Sequence, residues 1–397
     1  MARVETVLTD VDAGVWLESW KANAANGPQL AGASAWSISK NRLHGGLSDG
    51  VDVVTLDNGA LSMSVLPTRG MGLWKGSFRS LPIEWKSPVA RPVNPQFVNL
   101  QERGGLGWLS GFNELLCRCG LAFNGPPGVD RIEDAAGNVS ESELTLHGKI
   151  ANLPAHRVTA EVDDDGDGTL SVTGVVEEAS MFGTNLRLTS TVSTTAGANL
   201  LTITDTVFNP SAQPMELELL YHTNIGRPFL DEGSRIVAAI AEVAPRDAHS
   251  AKAADSFDVY PGPLPGRPEE AFFFDLQADD GGLTTVLLKN PAGDCGLQLR
   301  FAKQQLPCFT LWKNTQADED GFVTGLEPGT NFPNLKTFER EQGRVILLPP
   351  GESYTTQIEL SVFDSTESVA AAEAAIRDSQ SGEPLRHSAP IPKFSPV

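Results

Sequence analysis

The sequence predicts an all-β protein, a large antiparallel sandwich with a short C-terminal helix, on three observations. Short runs rich in Leu, Val and Thr alternate apolar with polar residues. Turn clusters such as DDDGDG, FGTN, TAGAN and NPSAQP separate those runs. Helical periodicity is convincing only from Thr366 to Asp378. The 397 residues exceed the usual span of one domain, yet sandwiches often pass 200 residues as one unit, and neither a repeat nor a linker divides the chain. Residues 1–397 therefore read as a single domain. Its core spans 36–363, with an N-terminal extension over 1–35 and a helix and proline-rich tail over 366–397.

The elements follow in order. From Val51 to Leu66 the alternation runs on both sides of Asn58-Gly59, the strongest short hairpin signal. Between Leu144 and Tyr221 several short strands follow one another. A second set lies at GLTTVLLKN, GLQLRFAK, CFTLWKN, GRVILLPP and YTTQIELSVF. The segment Asp163, Asp165, Asp167, Gly168 opens like a calcium loop, but its twelfth position is Gly174 where a bidentate glutamate is needed. It reads as a hairpin turn, and no metal is expected.

Composition excludes some partners. A net charge of -20 opposes phosphate backbones and anionic lipid, so neither nucleic acid nor membrane is an expected partner. The start MARVETVLTDVDAGVW lacks an apolar stretch behind a basic one, and a cytoplasmic protein is expected. Cys117, Cys119, Cys295 and Cys308 are few and scattered, which suits buried thiols. Oligomeric state is not legible.

Polar residues at the ends of apolar runs mark the chemistry. ELLYHTNIG carries His222 and Asn224, TLHGKIANLPAH carries His147, TLWKNTQ carries Lys313, and GLEPGTNFPN carries Glu327 before a proline. LPTRGMGLW holds Arg69 between glycines and a strand, and GGLGWLSGFNELLCRCG sets Asn113, Glu114 and Arg118 among aromatics. That mixture is what sugar sites use: aromatic faces cover C–H surfaces, and polar groups bond hydroxyls.

The order of LHG (His147), H-x-N (His222, Asn224), and LEP followed by FP (Glu327, Pro328, Phe332, Pro333) resembles the aldose 1-epimerase, or galactose mutarotase, superfamily. The likeness is strongest to a bacterial aldose 1-epimerase-like subgroup that shares PTRGMG, GGLGW, PRD, LPCFTLWKN and GLEPGTNFPN, and it covers roughly Trp36 to Phe363. The resemblance implies a galactose mutarotase-like β-supersandwich of antiparallel strands acting on a sugar hemiacetal. It makes His222 the general acid on the ring oxygen and Glu327 the base on the anomeric hydroxyl. It makes His147 and either Arg69 or Arg118 binders of the hydroxyls; Asn113, Asn224, Asp247 and Lys313 are the further candidate sugar contacts. Mutarotases usually show H-x-Y-F-N where this chain has HTNIG.

The implied reaction interconverts α and β anomers of a free sugar. One group takes the O1 proton, another protonates O5, and rotation before reclosure gives the other anomer. No cofactor is demanded, in keeping with a chain that has no nucleotide-binding or zinc-site pattern. A competent imidazolium and carboxylate would give a bell-shaped rate against pH. Two alternatives remain: a carbohydrate-binding module without turnover, and another carbohydrate enzyme, such as a lyase, on the same fold. For a lyase, Tyr221 falls on the strand face opposite His222.

Overall fold

The computed structural model describes residues 3–133 and 137–396, so Met1, Ala2 and the final Val397 of the tail lie outside it. Two large sheets dominate. One has ten strands in the order Arg235–Ala238, Leu283–Lys289, Gly296–Ala302, Ser353–Phe363, Leu200–Phe208, Asn185–Thr195, Thr169–Ala179, Arg157–Asp163, Arg3–Asp10, Val15–Trp16. The other has fourteen, and its centre runs Ile240–Pro245, Glu270–Leu276, Cys308–Asn314, Val323–Gly329, Met215–Ile225, Leu116–Leu121. This is the antiparallel sandwich that the alternation predicts. Among the described residues the one long helix is Thr366–Asp378, capped by the Ser365 hydroxyl, which accepts from the Ser368 amide.

The hairpin at Asn58-Gly59 forms between Asp52–Asp57 and Leu61–Leu66. The Asn58 side-chain oxygen accepts from the Ala60 and Leu61 amides, and its NH2 reaches Thr194, Thr195 and Ala198 of the other sheet. One turn residue thus closes a hairpin and ties two layers. The aspartate cluster closes the hairpin between Arg157–Asp163 and Thr169–Ala179. In the N-terminal extension, Arg3–Asp10 pairs along Arg157–Asp163. In the tail, Leu385–Arg386 adds beside Ile240–Pro245, and Phe394 packs with Phe273 and Phe332.

The core lies between the sheets. On Met215–Ile225 the odd positions Leu217, Leu219, Tyr221 and Ile225 join it, together with Leu311, Leu326, Phe272 and Phe274 from neighbouring strands. Each such side chain contributes about 1.5–3 kcal/mol by leaving water. The even positions point the other way, where Leu220 packs with Cys117, Cys119, Trp108, Phe112 and Ala151 under Trp85, Leu146 and Trp312. All four cysteines are free and buried. Among the described residues no helix is long and apolar enough to cross a membrane.

Candidate active site

The outward face of the fourteen-stranded sheet gathers the candidate residues because strand side chains alternate. In the register that pairs Leu220 with Gly329 and Thr223 with Leu326, His222 stands opposite Glu327. The ladder lapses there, since Pro328 has no N–H to give. Thr310 lies opposite Glu327 on the next strand, with Trp312 two residues on. Gly325 leaves the space the carboxyl group needs, for a Cβ at that position would sit 2.3 Å from Glu327 Oε1 and 3.1 Å from His222 Cε1.

His222 Nε2 lies 3.1 Å from Glu327 Oε1, and both side chains are almost wholly buried. The Asn224 side chain fixes the tautomer. Its NH2 donates to the carbonyls of Glu114 (2.9 Å) and His222 (3.2 Å), so its oxygen accepts from His222 Nδ1–H at 2.6 Å. Nε2 is thereby left as an acceptor facing a second acceptor, and Glu327 Oε1 receives no hydrogen bond. Two acceptors this close in a dry site need a proton between them. Burial, reinforced by His147, holds His222 down at about 3, and burial with the nearby Glu269 charge holds Glu327 well above the usual carboxylate range. The resting pair is therefore a neutral imidazole and a neutral carboxyl group. It carries the same single proton as the imidazolium and carboxylate expected from the sequence, placed on the other partner because burial penalises charge.

Aromatic rings frame the pair. Phe112, Trp312, His147 and Trp108 have ring centroids 5.1, 5.3, 5.6 and 6.2 Å from that of His222. His147 has a positive φ of 58°, and its Nδ1–H donates to the Asn124 carbonyl at 2.7 Å, so Nε2 remains available. Burial lowers its pKa to about 4. Because both histidines ionise near 6.5 once unfolded but only at about 4 and 3 when folded, stability present above pH 6.5 is lost as pH falls toward 3. A thermal melt series should show His222→Gln removing part of that acid sensitivity.

Several buried polar atoms on these segments have no partner. They include Trp108 Nε1, both amide atoms of Asn113, Asn152 Nδ2 and Thr310 Oγ1. At the edge, Trp312 Nε1 donates to Glu269, which also accepts from Arg246 at 3.0 Å, while Asp247 accepts from Arg246 Nε at 2.9 Å. Arg246, Glu269 and Trp312 were not singled out by sequence. Strand parity through Thr310 marks Trp312, whereas Glu269 and Arg246 come together only through sheet pairing.

Three predicted sugar contacts stand elsewhere. Arg118 faces the inter-sheet core beside Tyr221, where all five of its N–H groups are used on Asp205, Ser190 and the carbonyls of Gly70 and Met71. Lys313 points away from the Trp312 face, its ammonium bonded to the carbonyls of Phe257 and Val259. Arg69 pairs with Glu114 and donates to Val93, Gly111 and Asn152, which braces the loops under the aromatic frame. Tyr221 is likewise out of reach, bonded to Asp205 and Thr356. Cavities of about 310 Å³ beside Arg235 and Arg386, and about 260 Å³ beside Trp20 and Trp36, are lined by neither His222 nor Glu327. Among the described residues no cluster of three or more His, Cys, Asp or Glu could hold a metal ion.

A family profile described as a domain of unknown function, DUF4432, matches residues 48–362. The chain belongs to the DUF4432 family. Its fold is that of the galactose mutarotase-like sandwich. A candidate aldose 1-epimerase from Klebsiella pneumoniae is 33% identical, with a TM-score of 0.89 over 97% of this chain and 98% of that one. Two other solved structures share the fold at low identity. A galactose mutarotase-like protein from Clostridium acetobutylicum is 15% identical (TM-score 0.56; 82% of this chain, 98% of that one). A galactose 1-epimerase from Lactobacillus acidophilus is 13% identical (TM-score 0.53; again 82% and 98%). Among curated proteins, none matches this sequence. For this DUF4432 chain the geometry of its own residues therefore carries the functional reading.

Proposed function

We propose that this protein interconverts the α and β anomers of a free sugar, using His222 and Glu327 as a proton-exchanging pair. The observation that carries the reading is the buried pair, His222 Nε2 and Glu327 Oε1, 3.1 Å apart. Ring opening needs one proton donor and one acceptor at the same moment, on O5 and O1, and reclosure needs the same two in exchanged roles. A pair with a single mobile proton supplies both directions without resetting by solvent. The neutral resting form makes Glu327 the donor and His222 Nε2 the acceptor at the start, and a sugar seated between them exchanges those states.

Binding is the work of the surroundings. Trp108, Phe112 and Trp312 offer apolar faces to the C–H side of a pyranose; Asn113, Trp108 Nε1 and Thr310 offer buried polar atoms that the fold leaves unpaired, and His147, whose Nδ1 is held by the Asn124 carbonyl, offers Nε2. Asp247, with Arg246 and Glu269, lies at the edge, where it would meet an outer hydroxyl. Asn224 orients His222 and is not needed as a sugar contact.

The test is NMR exchange spectroscopy across free aldoses, ketoses and uronic acids, recording which anomer pair interconverts faster with protein present. Acceleration of at least one pair is expected. Binding of a sugar with exchange at the buffer rate would replace this reading with that of a non-catalytic module. Asn113→Ala should raise KM several-fold at nearly unchanged kcat and thermal midpoint, because its amide serves no bond within the fold. A large fall in the melting temperature, with KM unchanged, would make Asn113 structural.

A further inference from the structure

We infer that Glu218 is a positioning residue: its buried carboxyl group joins the three chain segments that carry His147, His222 and Glu327, and its ionisation adjusts the hydrogen bond that orients His147. Glu218 lies four residues before His222 on the same face of Met215–Ile225, and it is fully buried. Its Oε2 accepts from the Asn124 amide at 3.2 Å and from the Asn331 side-chain NH2 at 3.2 Å. Asn331 lies four residues beyond Glu327, and its oxygen accepts from Thr330 Oγ1 at 3.0 Å. The Asn124 NH2 donates to that same oxygen at 2.8 Å, with a return bond at 3.3 Å. The Asn124 carbonyl then holds His147 Nδ1–H. A single residue, Asn124, therefore separates the carboxyl group of Glu218 from the bond that selects the tautomer of His147.

This network gives the polar residues of FNGPP and GTNFPN a purpose that a surface loop would not have. The charges facing Glu218 come from the short helix Lys336–Glu341. Lys336, whose ammonium also meets the Ala122 carbonyl and Glu216 (3.1 Å), favours the anion. Glu339, itself paired to Arg344 at 2.6 Å, opposes it. Burial is the larger influence, and it brings Glu218 up to about 7, inside the neutral range. Oε1 has no partner in the fold and is the oxygen free to carry the proton. Ionisation draws the two N–H donors toward Oε2, and the Asn124 peptide moves with them. The consequence for catalysis rests on the proposed sugar reaction, whereas the spectroscopic test below does not.

The test is a pH titration of the whole protein with 13C,15N-labelled histidine, the His147 ring signals being assigned by His147→Gln. His147 itself protonates only near 4, so a second inflection of its ring shifts near pH 7 is expected in the wild type and should vanish in Glu218→Gln. Lys336→Met, which removes the cation favouring the anion, should move that inflection to higher pH. Absence of the inflection in the wild type, or its persistence in Glu218→Gln, overturns the inference. Should Glu218→Gln not fold, an inflection that Lys336→Met leaves in place overturns it equally. An inflection that behaves as expected in a protein without anomer exchange sinks the proposed reaction and spares the role of Glu218.

Discussion

Glu327→Gln should lower the catalytic rate of anomer exchange by at least about a hundredfold, the low end of what positioned acid–base catalysis contributes. The amide preserves the size of the side chain next to Gly325 but can neither release nor accept the shared proton. His222→Gln should cost about as much, since its Nε2 is the other end of the same exchange. The two substitutions together should cost little more than either alone, because each singly disables the pair. The rate should be bell-shaped in pH, with limbs belonging to the pair and not to either residue. The acidic limb marks addition of a second proton, held down by burial of His222 at about 3, and the alkaline limb marks loss of the shared proton from a carboxyl group held above its usual range. Rates measured by polarimetry or NMR for the three variants decide this. Independent, multiplying losses would show that His222 and Glu327 do not act as a unit.

Arg118→Met should destabilise the fold by about 3–5 kcal/mol in denaturant titration, because it leaves the Asp205 carboxylate buried without its partner. The guanidinium fills the space between the sheets and satisfies Asp205, Ser190 and two backbone carbonyls at once. The second change Asp205→Leu should recover much of the loss, since an apolar pair in place of a buried ion pair is often neutral. KM for any accepted sugar should change little in whichever variant folds. A selective rise in KM at unchanged stability would return Arg118 to the sugar.

Much of the fold was legible because short antiparallel strands with one buried face leave period-two alternation in the chain. The runs GLTTVLLKN and GLQLRFAK lie within a residue or two of the strands Leu283–Lys289 and Gly296–Ala302. Two of the strands that build the site left no such trace. Leu116–Leu121 and Val323–Gly329 are buried at every position, so they do not alternate, and the second holds two glycines and a proline that ordinarily argue against a central strand.

The sequence by itself determined the layer type, the terminal helix, and the set of residue types able to move protons and bond hydroxyls, because these depend on local periodicity and side-chain chemistry. The tertiary structure decided which of those residues meet. Alternation that sets Tyr221 behind His222 also turns Arg118 away from Cys117 and Lys313 away from Trp312, but it names a sheet face only once neighbouring strands and their register are known. It also decided where the single proton rests. That depends on burial and on the oxygen of Asn224, both of which exist only after strands distant in sequence have packed.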